Sequence, residues 1–526
     1  MKVFQKSISG RARLDSLVLV VLFIVAFVYL SSVDAFENLI EFVEIHEDWQ
    51  LDELMVSVAL IGLCGFVFSV RRYLDASREL DRRKVAEANV SWLAHYDPLT
   101  ELPNRRMLHE FVRNFDHSEA FKSKDISYAI YSIDLDGFKK VNDLHGHNVG
   151  DQLLKVISQR LTSIFPNDLV VRLGGDEFVV VAKLHRGTDP NRVADELLRK
   201  LVESMEIDDA HAEVGASIGF VLYPSQVETL EDGIRCSDIA MYDAKKTVST
   251  QIVFFREELR NQANAKARLE LQLKAALAAD AITPHYQPLV NLESGEIYGF
   301  EVLARWNLPN GEEVTPSTFI PLAEDAGLIS DLSEKLLRKA CHDAMNWPKH
   351  ILLSFNLSPA QLSDRLIGLR IVSILNETGL APTRLEVEIT ESAMIGDTET
   401  AIFVLEGMQA VGIRVALDDF GTGYSSLSHM SKFNFNRLKI DQSFIHDFEH
   451  NDKQRNIVKA IVALGNGMNV ATTAEGIEEP SQLAALKLLG CNSGQGFLLG
   501  RPMTAERTID ALAKNCALKD RDRAQG

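Results

Sequence analysis

The C-terminal half of the chain repeats one pattern, a short apolar run that ends in a polar residue, with helix-like segments between most of the runs. The polar residues that end these runs are Glu301, Asn356, Glu388, Asp418 with Asp419, Lys439, Glu475 and Gln495. Strands that alternate with helices predict a parallel sheet. In a β/α barrel, the carboxyl ends of the strands build a site on one face. We therefore predict a TIM-like β/α barrel with these side chains around one mouth.

Five of these side chains are carboxylates, and gathering like charges on one face is costly unless cations pair with them. Oxygen donors of this kind favour Mg²⁺ or Mn²⁺ over zinc. Two such ions about 3.5–4 Å apart would polarise a phosphodiester and activate a bridging water. The pattern therefore predicts metal-assisted phosphodiester hydrolysis, although each residue taken alone is also typical of an ordinary strand end.

A second candidate site lies nearer the N-terminus, where VVRLGGDEFVVV predicts a β-hairpin with Asp176 and Glu177 at its tip. The apolar run before SIDLDGFKK predicts a strand that ends in Asp134, and a helix opens near Phe138. The free N–H groups of a first helical turn suit phosphate. Together with Lys139, these groups predict a site for Mg²⁺ and a nucleoside triphosphate. A Gly-Gly pair between strands is also typical of a simple turn.

Residues 96–256 resemble the diguanylate cyclase (GGDEF) family in the motifs DPLTELPNR, SIDLDGFKKVND, HNVGD and RLGGDEF. The resemblance implies an α/β domain, with a central sheet flanked by helices, that binds GTP and Mg²⁺. In the family, two such domains meet face to face and join two GTP molecules into cyclic di-GMP. The implied metal ligands are Asp134, Asp176 and Glu177, of which the last two are also expected to be catalytic. The implied guanine contacts are Asn142 and Asp151, and the implied phosphate contacts are Lys139 and Lys245.

Two positions depart from the cyclase pattern. Ser249 stands where the family carries an arginine that holds phosphate. The loss of one charge-assisted hydrogen bond is expected to weaken GTP binding by roughly 1.5–3 kcal/mol. Phe165 stands where the arginine of the Arg-x-x-Asp product-inhibition motif would be. We therefore do not expect high-affinity feedback inhibition through that site.

Residues 267–518 resemble the EAL cyclic di-GMP phosphodiesterases in FEVLARW, FNLSPAQL, EITES, DDFGTGYSSL, LKID, AEGIEEP and QGFLLGRP. The resemblance implies hydrolysis of cyclic di-GMP to linear pGpG with two Mg²⁺ or Mn²⁺ ions. The first ion is expected to bind Glu301, Asn356, Glu388 and Asp418, and the second Asp418, Asp419 and Glu475. The expected catalytic residues are Glu301, Glu475 and Lys439, the last of which would orient or help to deprotonate the attacking water.

The same resemblance implies that Arg305, Gln287 and Gln495 contact the substrate. Glu391 is expected to steady the loop of residues 420–426 over the metals. Val302 replaces the alanine of the EAL signature, but this apolar change removes no ligand atom.

Residues 16–33 and 54–70 contain no charged residue, and the segment between them, 34–53, carries eight acids and no Lys or Arg. Basic residues lie in the tail, 1–15, and at Arg71 and Arg72. The positive-inside rule then predicts two transmembrane helices, a short acidic periplasmic loop and both termini cytoplasmic. We expect a bacterial inner-membrane protein, and the alternative for the first run is a cleaved signal peptide.

Residues 71–95 are predicted to form a linker helix, 257–266 a helical linker and 519–526 a tail. The net charge of −19 argues against a nucleic-acid partner, which requires an extended basic face. Five scattered cysteines without a C-x-x-C pair argue against a disulfide framework or a zinc site.

Three functions are consistent with the sequence. The first, favoured by the full set of barrel ligands, is a membrane-anchored phosphodiesterase whose cyclase-like domain binds GTP and regulates hydrolysis or makes cyclic di-GMP. The second is net synthesis with a silent barrel domain, and the third is a non-catalytic nucleotide-binding membrane receptor. A homodimer is expected, because the cyclase reaction needs two facing GTP sites.

Overall fold

The computed structural model describes residues 21–22, 24–29, 31–32, 34–45, 51–116, 127–185, 187–207, 210–246, 251–394, 398–421, 433–448 and 451–525. Ser249 and most of the loop at 420–426 lie outside these residues. The chain divides after Arg256 into two compact units, which are described in turn.

In the first unit, residues 21–22, 24–29 and 31–32 are helical, and helix α1, Ala35–Ile45, and helix α2, Leu51–His95, follow. Helix α2 combines the predicted second span and the predicted linker helix in one continuous element. Its residues 56–83 form the one segment of the described chain that is long and apolar enough to cross a membrane. Much of the first predicted span lies outside the described residues. The finding supports a membrane anchor weakly, and it does not support the two-pass topology.

The rest of this unit is an α/β domain, as predicted. Its helices are α3 Arg105–Asp116, α4 Phe138–His145, α5 His147–Ile164, α6 Pro190–Leu201 and α7 Leu230–Lys246. Its strands are β1 Ser127–Asp134, β2 Leu169–Gly174, β3 Glu177–Leu184, β4 Met205–Ile207, β5 Ala210–Ala212, β6 Ser217–Tyr223 and β7 Ile252–Phe254. Five strands form one sheet in the order β2-β3-β1-β6-β7, and β4 pairs with β5.

Strand β1 lies at the centre of the sheet, and every residue of it except Ser127 is buried. This burial explains its nearly continuous apolar sequence. Helix α7 packs closely on β6 at Gly219, where an added Cβ would lie 1.9 Å from the backbone nitrogen of Met241. The strand that ends in Asp134 and the helix that opens at Phe138 agree with the sequence prediction.

His95 connects the last turn of α2 to α3. Its Nδ1 lies 2.8 Å from the carbonyl oxygen of Ser91, and its Nε2 lies 3.1 Å from Oε2 of Glu110. Both oxygens only accept hydrogen bonds, so the doubly protonated imidazolium satisfies both. The bonds to Ser91 and Glu110 raise the pKa of His95, and desolvation, followed by the charge of Arg106, opposes them.

We expect Glu110→Gln to lower the pKa of His95, measured by NMR titration of a histidine-labelled chain, whereas the control Glu101→Gln leaves it in place. Because the folded-state pKa is raised, the contact contributes stability below the ordinary pKa of histidine and loses it as the pH rises through the folded-state value. An unchanged titration of His95 in Glu110→Gln would contradict this assignment.

The second unit contains the predicted barrel. Its helices are α8 Glu257–Ala278, α9 Pro316–Asp325, α10 Ile329–Ala344, α11 Pro359–Leu362, α12 Ile367–Thr378, α13 Thr398–Ala410, α14 Gln442–Ile445, α15 Asp452–Met468, α16 Pro480–Leu488 and α17 Ala505–Gln525. Its strands are β8 Ile282–Asn291, β9 Ile297–Asn307, β10 Glu313–Val314, β11 Leu352–Asn356, β12 Leu385–Thr390, β13 Arg414–Phe420, β14 Arg437–Ile440, β15 Ala471–Ala474 and β16 Ser493–Gly494. The strands follow the order β9-β11-β12-β13-β14-β15-β16-β8, and β8 closes the barrel by pairing with β9.

The prediction of a parallel sheet is wrong for strand β8. It runs antiparallel to both β9 and β16, whereas the other neighbouring pairs of the barrel are parallel. The connection between β8 and β9 consists of residues 292–296. A parallel crossover needs about a dozen residues or more, so a connection this short forces an antiparallel hairpin.

Candidate active site

A buried lysine lies at the centre of one barrel mouth. Lys439 Nζ lies 2.5 Å from Glu475 Oε1, 2.6 Å from Glu388 Oε2, 3.2 Å from Asp418 Oδ1 and 3.7 Å from Glu301 Oε2. Burial by itself would lower the pKa of Lys439, but the four carboxylates raise it well above the ordinary value. The side chain therefore holds a full positive charge among four acids, each of which comes from a different strand or strand end.

Side-chain amides hold Glu301 in place. Asn356 Nδ2 donates to Glu301 Oε1 at 2.7 Å, and Gln495 Nε2 donates to Glu301 Oε2 at 2.5 Å. Gln495 Nε2 also donates to Gln287 Oε1 at 2.9 Å. Each of these four residues was predicted from the sequence to belong to the site, and the structure brings them into direct contact.

Asp418, Asp419 and Glu475 could hold a divalent cation, because one oxygen from each lies within 4.8 Å of the others. Asp419 has a left-handed backbone, with φ of 52°, which for a residue other than glycine is strained. Burial, followed by the charges of Asp418 and Asp441, raises the pKa of Asp419 to about 6.

The pKa of Glu475 is raised further, to about 8, chiefly by burial, and Asp418 and Glu301 add to the shift against the opposing charge of Lys439. Lys439 supplies one positive charge to four carboxylates. A bound cation favours the ionised forms of such carboxylates, so the donor set fits Mg²⁺ or Mn²⁺.

Glu301 does not end its strand, contrary to the sequence pattern. Strand β9 continues to Asn307, and Glu301 pairs there with Gln287 of β8 and Ser354 of β11. It still reaches the mouth because its side chain lies on the inward face. The other polar residues of the pattern lie near or directly after the ends of their strands.

Arg305 and Glu391 lie at the edge of the site. Arg305 Nε forms an ion pair at 3.3 Å with Glu313 Oε1. Arg305 also lines a cavity of about 340 Å³ together with Glu301 and Glu475. Glu391 Oε2 accepts a hydrogen bond from the backbone nitrogen of Gly421, at the start of the predicted loop.

The hairpin site in the first unit also gathers the predicted acids. Asp134 and Glu177 face each other in the register of β1 and β3. Lys245 Nζ lies 2.6 Å from Asp134 Oδ1. Burial and the Asp134 charge raise the pKa of Asp176, and burial, Asp238 and Asp134 raise the pKa of Glu177. The crowding of these carboxylates fits a divalent cation.

The predicted nucleotide contacts lie on α4 and α5. Asn142 on α4 packs against Gly150 on α5, where an added Cβ would lie 2.0 Å from Asn142 Oδ1. Lys139 and Asp151 are exposed on the same two helices.

Sequence reasoning missed the residue that holds the hairpin tip. Arg172 donates to Asp97 Oδ1 at 2.8 Å, and its Nε and Nη2 donate to the carbonyl oxygen of Gly175 at 3.1 and 2.8 Å. Gly175 has a φ of 53°, which favours glycine. Arg172 therefore fixes the turn that carries Asp176. The available signal was an arginine two positions before a Gly-Gly turn.

The family described as EAL domain matches residues 270–502, and the family described as diguanylate cyclase, GGDEF domain, matches residues 94–251. The bifunctional diguanylate cyclase/cyclic di-GMP phosphodiesterase MucR of Pseudomonas aeruginosa is 35% identical over 467 residues, which cover 88% of this chain and 68% of MucR.

The chain belongs to the tandem GGDEF–EAL family.

A further curated relative and a solved structure are also similar to the chain. Cyclic di-GMP phosphodiesterase NbdA of Pseudomonas aeruginosa is 34% identical, over 82% of this chain and 56% of NbdA. A solved structure described as PaMucR phosphodiesterase in complex with c-di-GMP is 39% identical, over 46% of this chain and 99% of that chain, with a TM-score of 0.45. The chain spans between 54% and 68% of the length of MucR and two uncharacterised relatives, from Caulobacter vibrioides and Sinorhizobium fredii.

Proposed function

We propose that the EAL domain hydrolyses cyclic di-GMP to linear pGpG with two Mg²⁺ or Mn²⁺ ions. The observation that carries this proposal is the convergence of all the predicted ligands at one barrel mouth. The relatives MucR and NbdA, both described as cyclic di-GMP phosphodiesterases, support the substrate.

When bound, the ions supply an electrophile for the phosphodiester and an activated water. The residues that would hold them are Glu301, Asn356, Glu388, Asp418, Asp419 and Glu475. Lys439 holds a positive charge beside Glu475 and Asp418 and would orient or help to deprotonate the attacking water. Arg305 exchanges its contact with Glu313 for a phosphate oxygen of the substrate. Gln495 and Gln287 keep Glu301 in position and contribute to substrate binding.

The test is hydrolysis by the full chain, purified in detergent with Mn²⁺. We expect Glu301→Ala to lower kcat/KM by about 10²-fold or more, because a metal ligand held by two amides is lost. Glu406→Ala, on the exposed face of α13, is the control and should match the parent. Equal rates for Glu301→Ala and the parent would refute the ligand assignment. Binding of cyclic di-GMP without turnover under any divalent metal would instead indicate a receptor.

We further propose that the GGDEF domain binds GTP with Mg²⁺ and either regulates hydrolysis or synthesises cyclic di-GMP. The cluster of Asp134, Asp176 and Glu177 with Lys245 supports this proposal. Ser249, in place of the family's arginine, is expected to weaken phosphate binding. In an Asp418→Asn background, formation of cyclic di-GMP from GTP would demonstrate synthesis. Absence of product at millimolar GTP, together with GTP binding that Asp176→Asn removes, would leave regulation alone.

We also propose a homodimer, because synthesis requires two facing GTP sites. We propose that it is anchored in the bacterial inner membrane, which the apolar helical segment 56–83 supports. Sedimentation of the full chain in detergent with GTP tests the dimer. A monomer under these conditions would count against synthesis and would leave hydrolysis unaffected.

A further inference from the structure

The outer wall of the cavity at the barrel mouth contains an aromatic side chain that the proposed chemistry does not use. Phe497 lines this cavity together with Leu303 and Pro502, beside Glu301 and Gln495 of the predicted site. Phe497 is 49% exposed. Because the ring is only partly buried, it contributes less to packing than a core aromatic side chain does. Its exposed face offers a flat apolar surface to a ligand in the cavity.

The backbone that carries Phe497 is fixed from both sides. The carbonyl oxygen of Gln495 accepts from the nitrogen of Ile477 at 3.0 Å, and the nitrogen of Leu498 donates to the carbonyl oxygen of Ile477 at 3.0 Å. Gly496 has a φ of 157°, and an added Cβ would lie 2.1 Å from the Ile477 carbonyl oxygen. The position of the ring is therefore set by the same turn that places Gln495 against Glu301.

A guanidinium group packs against the ring of Phe497. The guanidinium carbon of Arg501 lies 4.4 Å from the centroid of Phe497, a cation–π arrangement. The guanidinium restricts the rotation of the ring and adds positive charge near the cavity. Arg305, on β9, provides a second positive group at the cavity. An aromatic surface beside two guanidinium groups suits a purine base that is joined to phosphate.

We propose that Phe497 is a specificity-determining residue that stacks against one guanine base of the substrate. This inference rests on the proposed function, because the base belongs to cyclic di-GMP. The ring holds the base so that the adjoining phosphodiester lies beside the acids of the barrel mouth. Because the ring of Phe497 is already held in position, less conformational entropy is lost when the base stacks on it.

The first test measures KM and kcat of the full chain for cyclic di-GMP. Phe497→Leu keeps an apolar side chain but removes the aromatic face, and we expect KM to rise roughly 5–100-fold, more than kcat falls. Phe497→Tyr should restore most of the parent KM. Leu498→Ala, a neighbour that does not line the cavity, is the control and should keep the parent KM.

The second test does not depend on turnover. In Phe497→Trp, addition of cyclic di-GMP with EDTA present should quench tryptophan fluorescence, because direct stacking of a base on the excited indole opens a non-radiative route of decay. Leu498→Trp serves as the matched control and should show less quenching. A parent-like KM in Phe497→Leu, or equal quenching in the two tryptophan variants, overturns the inference. If the parent chain neither binds nor hydrolyses cyclic di-GMP, the proposed function itself fails.

Discussion

Replacement of Lys439 by methionine is expected to destabilise the EAL domain by about 3–5 kcal/mol when no divalent cation is present. The same change is expected to lower hydrolysis of cyclic di-GMP by roughly 10²–10⁴-fold. Lys439 is 1% exposed and lies within ion-pair distance of four carboxylates. Its removal leaves those acids buried without a cation, so they must either take up protons or separate.

The loss of stability in Lys439→Met should be reversible in part by Mn²⁺, because the metal replaces the missing positive charge. The measurement is the Tm of the full chain in EDTA and in Mn²⁺. A loss of this size corresponds to a shift of roughly 6–20 °C for a domain of this length. Lys274→Met, on an exposed face of α8, is the control.

Among the described residues, Lys274 forms an ion pair with Glu270 on its own helix, and such a pair contributes about 0.3–0.5 kcal/mol. A parent-like Tm for Lys439→Met in EDTA would show that the carboxylates do not depend on this lysine. A lowered Tm with full activity in Mn²⁺ would contradict its proposed role toward the attacking water.

The second large effect is expected at Arg437, inside the barrel. Its Nε lies 3.0 Å from Glu386 Oε1, and its Nη1 donates to Thr473 Oγ1 at 3.1 Å and to Ser493 Oγ at 2.8 Å. The guanidinium also lies 4.7 Å from the ring centroid of Tyr298. Arg437→Met should destabilise the domain by about 3–5 kcal/mol, because Glu386 would keep a buried charge without a partner.

The double variant Arg437→Met, Glu386→Leu separates the cost of an unpaired charge from the value of the pair. We expect it to recover most of the lost stability, since replacing both members of a buried ion pair by apolar groups is often close to neutral. The Thr473 and Ser493 hydroxyls remain bonded to each other at 2.7 Å. Thermal unfolding of the parent, single and double variants provides the comparison, and a double variant no more stable than Arg437→Met would contradict the account.

Several features of both sites could be predicted because their signals are local in the chain. The strand that ends in Asp134, the helix that opens at Phe138 and the tip at Asp176 follow from apolar periodicity and turn residues. The polar residues of the barrel mouth could be predicted because most of them lie at or near strand ends, where an apolar run stops.

Other features depend on contacts between distant parts of the chain. The bond from Arg172 to Asp97 joins residues that are 75 positions apart, and the hydrogen bond from Gln495 to Glu301 spans 194 positions. Glu301 lies within its strand, so the end of the apolar run did not mark the end of the strand there. The sequence shows Phe497 only as an apolar residue and does not show that it is exposed.

The sequence by itself determined which residue types follow each strand, and hence the α/β class, the two domains and the acids of each site. The tertiary structure decided which of those groups meet. Strand order and the antiparallel course of β8 set how the barrel closes, and closure places Lys439 among carboxylates from other strands. The physical reason is that propensity and periodicity act over a few residues, whereas charge pairing and burial act between residues that only the closed barrel brings together.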